Sequence, residues 1–179
     1  MRRQIFALGS FLLVALVVPA DCVLAQAPAG ALQAPIGKIV VVEGNVTVEH
    51  AATVVRQVSA HGGAVRPKVG DLVYQGDLIQ TGPDSKINLA FTDGTAFNVA
   101  SNARMELNEF VYSPNGKNNS SLFSLVKGTF TFVAGKVAKT GDMKIDTPAA
   151  TMGIRGTTPH VEVLEDGTVK FSTLVEKKR

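Results

Sequence analysis

From Ile36 onward apolar and polar residues alternate along most of the chain. Ile87, Leu89 and Phe91 fall on one side of an extended segment, with Lys86, Asn88 and Ala90 on the other. The same period recurs at Phe97 and Val99, Met105 and Leu107, Phe130 and Phe132, Met143 and Ile145, and Val161 and Val163. Side chains change face at every residue of a strand, so each run predicts a strand with one buried face. The breaks carry turn chemistry. Asp93-Gly94 and Asp166-Gly167 read as hairpin pairs, because glycine accepts the positive φ of tight primed turns. Ser113-Pro114-Asn115-Gly116, followed by Lys117, Asn118 and Asn119, reads as a longer polar loop. No helical spacing is sustained, so the domain is predicted to be all-β, with little or no helix outside the N-terminal segment. Two local echoes suggest a repetitive layout: "GDLVYQ" from Gly70 is followed by "GDLIQT" from Gly76, and "DGTAFNV" from Asp93 resembles "DGTVKFS" from Asp166. Short, evenly spaced strands suit a sandwich, a barrel or a coiled β-solenoid, and periodicity does not choose among them.

The first 25 residues have a different pattern. Arg2 and Arg3 precede an apolar run from Ile5 to Val18, and Val23-Leu24-Ala25 forms a small-x-small cleavage site. Residues 1–25 are therefore expected to be a cleaved signal peptide, with Gln26 as the mature N-terminus and a periplasmic or secreted location of Gram-negative type. An uncleaved signal anchor is the alternative; Pro19 and Asp21 argue for cleavage. A lipid anchor on Cys22 would need a small residue before it, and Asp21 stands there, so Cys22 is expected to leave with the signal. Residues 26–35, rich in alanine and proline, read as a flexible leader, and residues 36–179 as one β domain. With the sole cysteine gone, the mature domain must fold by packing, without disulfides or thiolate metal ligands. Removing Arg2, Arg3 and Asp21 takes the formal net charge of +3 to about +2, too balanced to argue for nucleic acid.

Catalytic signatures are missing. There is no G-x-S-x-G elbow, no H-E-x-x-H pair and no dinucleotide fingerprint. "GTFTFVAGKV", Gly128 to Val137, superficially resembles a phosphate-binding loop. Its glycines are too far apart, Val137 replaces the required Ser or Thr, and Phe130 and Phe132 alternate as a strand. His50, His61 and His160 are scattered, so no metal site is expected. Asp71, Asp77 and Asp93 each adjoin a turn glycine and are expected to cap backbone rather than bind calcium. Phe91, Phe97, Phe130 and Phe132 alternate as core residues do, in preference to a sugar-stacking platform, and the lack of tryptophan weakens a carbohydrate reading further. Lys177-Lys178-Arg179 reads as a solvated tail. No enzyme activity and no cofactor are expected.

Several stretches, taken in order, resemble the extracytoplasmic FecR domain. They are "VGDLVYQGDLIQTGPDSKINLAFTDGTAFNVASNARMEL" (Val69 to Leu107), "LFSLVKGTFTF" (Leu122 to Phe132) and "MKIDTPAATMGIRGT" (Met143 to Thr157). Their hallmarks are a G-D turn, a D-G-T hairpin, an L-x-x-G-x-x-x-F strand pair and a T-P-x-A-x-x-G-x-R-G-T block, together spanning Ile36 to about Lys170. The resemblance implies an all-β fold of solenoid (β-helix-like) type, with a β-sandwich as the alternative, and a non-enzymatic module that receives or relays a signal in the bacterial envelope through contacts with another envelope protein. A periplasmic polysaccharide- or peptidoglycan-binding module is the alternative. The family's regulators place an anti-sigma segment and a membrane span before this domain and a receptor-docking domain after it. Here a signal peptide precedes the domain and the chain ends at Arg179, so direct relay to a cytoplasmic sigma factor is not expected. Pro159 and His160 stand where the family continues into an apolar strand residue, and the last strand ends early in "LVEKKR"; the domain's edge is expected to be frayed, swapped or covered by a partner.

The last block holds the candidate site: Thr147, Pro148, Gly153, Arg155, Gly156 and Thr157. Gly153 and Gly156 let the backbone turn closely around Arg155, and Pro148 presets φ before it. A planar guanidinium with five donors could then satisfy turn carbonyls or Asp146, clamping adjacent strands. Contact with a ligand is the alternative role.

Overall fold

The computed structural model describes residues 33–51, 64–156 and 158–173. The expected signal peptide, most of the leader, His61, Thr157 and the basic tail lie outside these described residues. Twelve strands and one helical turn follow in order: β1 (Gly37–Glu43), β2 (Val46–Glu49), β3 (Leu72–Val73), β4 (Leu78–Thr81), β5 (Lys86–Phe91), β6 (Ala96–Val99), β7 (Arg104–Val111), β8 (Ser120–Val133), α1 (Val137–Thr140), β9 (Asp142–Asp146), β10 (Thr151–Ile154), β11 (Pro159–Val163) and β12 (Val169–Thr173). The all-β, helix-poor class is thus as the alternation predicts, and the strands curl into a half-barrel.

The pairing resolves the layout that periodicity left open. A solenoid stacks its coils through parallel pairs, whereas every pair here is antiparallel except β8 with β9. The solenoid form implied by the resemblance therefore gives way to two curled sheets sharing one strand. β8 runs for 14 residues. Its first half lies between β7 and β9, within the order β2-β4-β7-β8-β9-β10. Its second half lies between β6 and β11, within the order β3-β1-β5-β6-β8-β11-β12. The change of partners falls at Gly128, whose φ of 104° is open to glycine and strained for other residues. Ala103 packs so closely there that a Cβ on residue 128 would meet its Cβ at 2.4 Å.

Both sheets turn their apolar faces onto one core. Phe97 stacks on Phe132 with centroids 4.5 Å apart, and Phe123 from the β7 side touches Phe91 at 5.0 Å and Phe97 at 5.1 Å. Phe91, Phe97, Phe130 and Phe132 are all buried, which makes them packing residues.

The repeated turn motifs fold alike. In both G-D echoes, the Asp N–H donates to the carbonyl three residues back, and its carboxylate accepts from that same residue's N–H: Lys68 to Asp71 at 2.7 Å and Tyr74 to Asp77 at 2.8 Å. Gly70 and Gly76 supply the positive φ at the third turn position. The two D-G-T hairpins also match each other, but they are not the two-residue primed turns expected. Gly94 N–H donates to Phe91 O and Phe91 N–H to Thr95 O, with Gly167, Leu164 and Thr168 repeating the pattern. Each is a three-residue loop closed by a glycine bulge, and this is where the positive φ is used. Pro159 and His160 do not fray the sheet: Pro159 begins β11, where a strand tolerates the missing donor, and β11 is paired on both sides.

Candidate functional site

The T-P-A-A stretch is the turn of the β9–β10 hairpin. Thr147 N–H and Oγ1 both donate to Ala150 O, at 3.0 and 2.7 Å, and Ala150 N–H returns a 3.2 Å bond to Thr147 Oγ1. Thr147 is buried, while Pro148 occupies the second turn position, where its fixed φ is already correct. β9 is held by β8, but among the described residues β10 pairs only with β9. The chain then leaves this sheet through Arg155 and Gly156 and enters the other at β11.

Strand parity determines what Arg155 does. Ile154 is buried in the core, so Arg155 faces outward; it is exposed and makes no hydrogen bond or ion pair with any described residue. Among the described residues nothing accepts from its guanidinium, so the acceptor that the clamp reading needs is not met there. Asp146, its proposed acceptor, instead takes a hydrogen bond from Thr151 Oγ1. Gly153 is equally exposed, and a Cβ on it would meet nothing within 4 Å. Gly156 has a positive φ of 62°, so a backbone turn, and no crowding, calls for it. Arg155 and Gly156 line a polar cleft of about 380 Å³ together with Ala138, Lys139, Thr140 and Gly141 of the α1 region. Among the described residues the cleft therefore has two cationic side chains on its walls and no carboxylate. Thr157 is outside the described residues.

Two buried polar clusters were not foreseen as such. Asp93 is a junction between the β5–β6 hairpin and the segment after β8. Its carboxylate accepts from Thr95 N–H at 2.8 Å, Thr95 Oγ1 at 2.7 Å and Val137 N–H at 3.2 Å, while Gly135 N–H donates to Thr95 Oγ1 at 3.0 Å. This settles the phosphate-loop resemblance: the N–H groups of Gly135 and Val137 are already taken by Thr95 and Asp93. The second cluster joins Asp77, fully buried, to His50 Nδ1 at 3.0 Å, with Tyr74 edge-on to the imidazole. Burial pushes the Asp77 carboxyl above its ordinary value, against the opposing pull of the Tyr74 N–H and His50. His160 bonds Thr131 Oγ1 at 2.8 Å across β11 and β8. The D-G-T and G-D motifs were the available signals for both clusters; what they do not encode is the distant partner.

On the outer face of β1, β5, β6 and β8 lies an apolar depression of about 360 Å³ lined by Val40, Ala90, Ala96 and Val133, with Asn88, Asn98 and Thr131 beside them. Asn88 Oδ1 is buried there without a hydrogen-bond partner.

In comparison with known proteins, a family model described as FecR protein matches residues 77–175, from the second G-D turn through β12. A solved structure titled "Cell surface anchoring domain" is 27% identical over 41% of this chain and 84% of its own, with a TM-score of 0.34. No curated protein matches the chain.

Proposed function

Because the chain belongs to the FecR protein family, we propose that it is a non-enzymatic, envelope-associated module that is exported and acts through contacts with another envelope protein. The observation that carries this reading is the pair of open strand edges at the C-terminal end of the matched region. Among the described residues β10 has a neighbour on one side only, and β12 pairs only with β11 and has four of its five residues exposed, including Phe171 at 45%. An unpaired edge presents backbone donors and acceptors in a row, ready for an added strand. The expected export by residues 1–25 places such an edge where envelope proteins are.

The polysaccharide-binding alternative has one observation in its favour, the uncharged depression around Asn88, whose free acceptor would suit a hydroxyl or amide donor. A pull-down from envelope extract, set beside isothermal titration against cell-wall fragments, separates the two. A specific protein partner with no heat from glycan supports the protein-contact reading; saturable glycan heat lost in Asn88→Leu replaces it.

A further inference from the structure

We propose that the free edge of β10 is the docking edge, and that it receives an extended segment carrying a carboxylate, which Arg155 and Lys139 hold in the cleft at the end of the strand. This rests on the protein-contact reading and names its edge and its chemistry.

Register shows which backbone groups are available. The Thr147 N–H to Ala150 O bond makes that residue pair a hydrogen-bonded one, and the pairs of an antiparallel ladder alternate between bonded and non-bonded. Counting along the hairpin, Met152 with Ile145 and Ile154 with Met143 are bonded pairs, whereas Thr151 with Asp146 and Gly153 with Lys144 are not. The N–H and C=O of Thr151 and Gly153 therefore point away from β9, toward the open side of the sheet. An added strand would find two residues' worth of donors and acceptors, at the correct spacing, that no described residue pairs.

Gly153 gains a reason in this arrangement. It is a glycine inside a strand with no positive φ and no neighbour that a side chain would strike. Glycine costs stability in a strand, and it is commonly found where another backbone or a ligand comes close. Nothing inside the described fold uses the space it leaves.

Charge selects the partner. Two residues beyond Gly153 the edge ends at Arg155, whose guanidinium has no partner among the described residues, and no described acid lines the cleft it shares with Lys139. Among the described residues Lys86, Arg104, Lys144 and Lys170 each sit beside an acid, whereas Arg155 and Lys139 meet at one cleft with none to neutralise them. Arginine's fork matches a carboxylate in two parallel hydrogen bonds, which favours an Asp or Glu at one end of the incoming strand over a neutral or basic residue.

The test selects random decapeptides, displayed on phage, against the full chain. Recovered sequences should join a β-branched run to Asp or Glu at one end, and the soluble peptides should shift the amide resonances of Thr151 and Gly153. Arg155→Gln should weaken the acidic peptides about tenfold while leaving neutral analogues unchanged. Gly153→Pro removes a donor that faces the free edge and no ladder bond, so it should abolish binding of both with the melting temperature retained. Peptides without acidic bias, or binding that survives Gly153→Pro, overturn the proposal. Shifts confined to β12 overturn the choice of edge and leave the protein-contact reading standing. Cell-wall fragments that bind through Arg155, with no peptide recovered, overturn both.

Discussion

At the scale of single residues, the family motifs carry two kinds of side chain. Thr147 and Asp93 are buried and hydrogen-bonded to backbone groups, whereas Arg155 is exposed and bonded to no described residue. Arg155→Ala should therefore leave stability within about 0.5 kcal/mol of wild type, as for other surface changes away from caps and cores; a drop of more than about 1 kcal/mol in chemical denaturation would restore the clamp. Asp77 makes a pH prediction. Its folded-state pKa lies above the unfolded value near 3.8, chiefly through burial. The folded state thus holds that proton more tightly than the unfolded one, so this group's contribution to stability is fully present below the unfolded pKa and is lost as pH rises through the folded pKa. Asp77→Asn keeps an acceptor for Tyr74 N–H but cannot ionise. Its stability relative to wild type should rise as the pH goes from about 3 to 7; denaturation curves of the two proteins across that range check it, and a relative fall would reverse the sign.

Among elements, β8 governs how the two sheets join. Its change of neighbours at Gly128 needs a left-handed backbone and a missing side chain at the same point, because Ala103 fills the space. Gly128→Ala combines a left-handed penalty of about 1–2 kcal/mol with overpacking of about 1–3 kcal/mol. The variant is expected to lose about 2–5 kcal/mol, measured by urea denaturation. Gly167→Ala serves as a comparison: it shares the positive φ but has nothing within 4 Å, so it should show the backbone penalty alone. Equal losses at both sites would remove the packing part of the argument.

For the whole domain, one core lies between the sheets, and Phe123 links the aromatic rings of both. Phe123→Ala should cost about 3–5 kcal/mol, the usual range for an aromatic removed from a core. Because β8 belongs to both sheets, neither has its own central strand to retain, and unfolding should stay a single transition. Calorimetry checks both points: the calorimetric and van't Hoff enthalpies should agree in wild type and variant, and two resolved transitions would show that the sheets fold independently.

The sequence by itself determined the strands, their buried faces and where the chain turns, because these depend on local rules. Alternation marked Ile87 to Phe91 and Phe130 to Phe132 as strands facing a core, and Asp beside Gly marked the turns that Asp71, Asp77, Asp93 and Asp166 go on to cap. The T-P-x-A and R-G residues were legible as one motif, yet their roles were not, since a turn's chemistry does not say which side chains face solvent. Only the tertiary structure decided that β8 divides between two sheets, that Ile154 takes the core position and leaves Arg155 outside, and that Lys139 shares its cleft. It also decided which partner each buried acid meets, His50 for Asp77 and the backbone of Val137, 44 residues away, for Asp93. Pairing between distant strands is set by how the whole set of apolar faces closes on one core, and no local window of the chain contains that information.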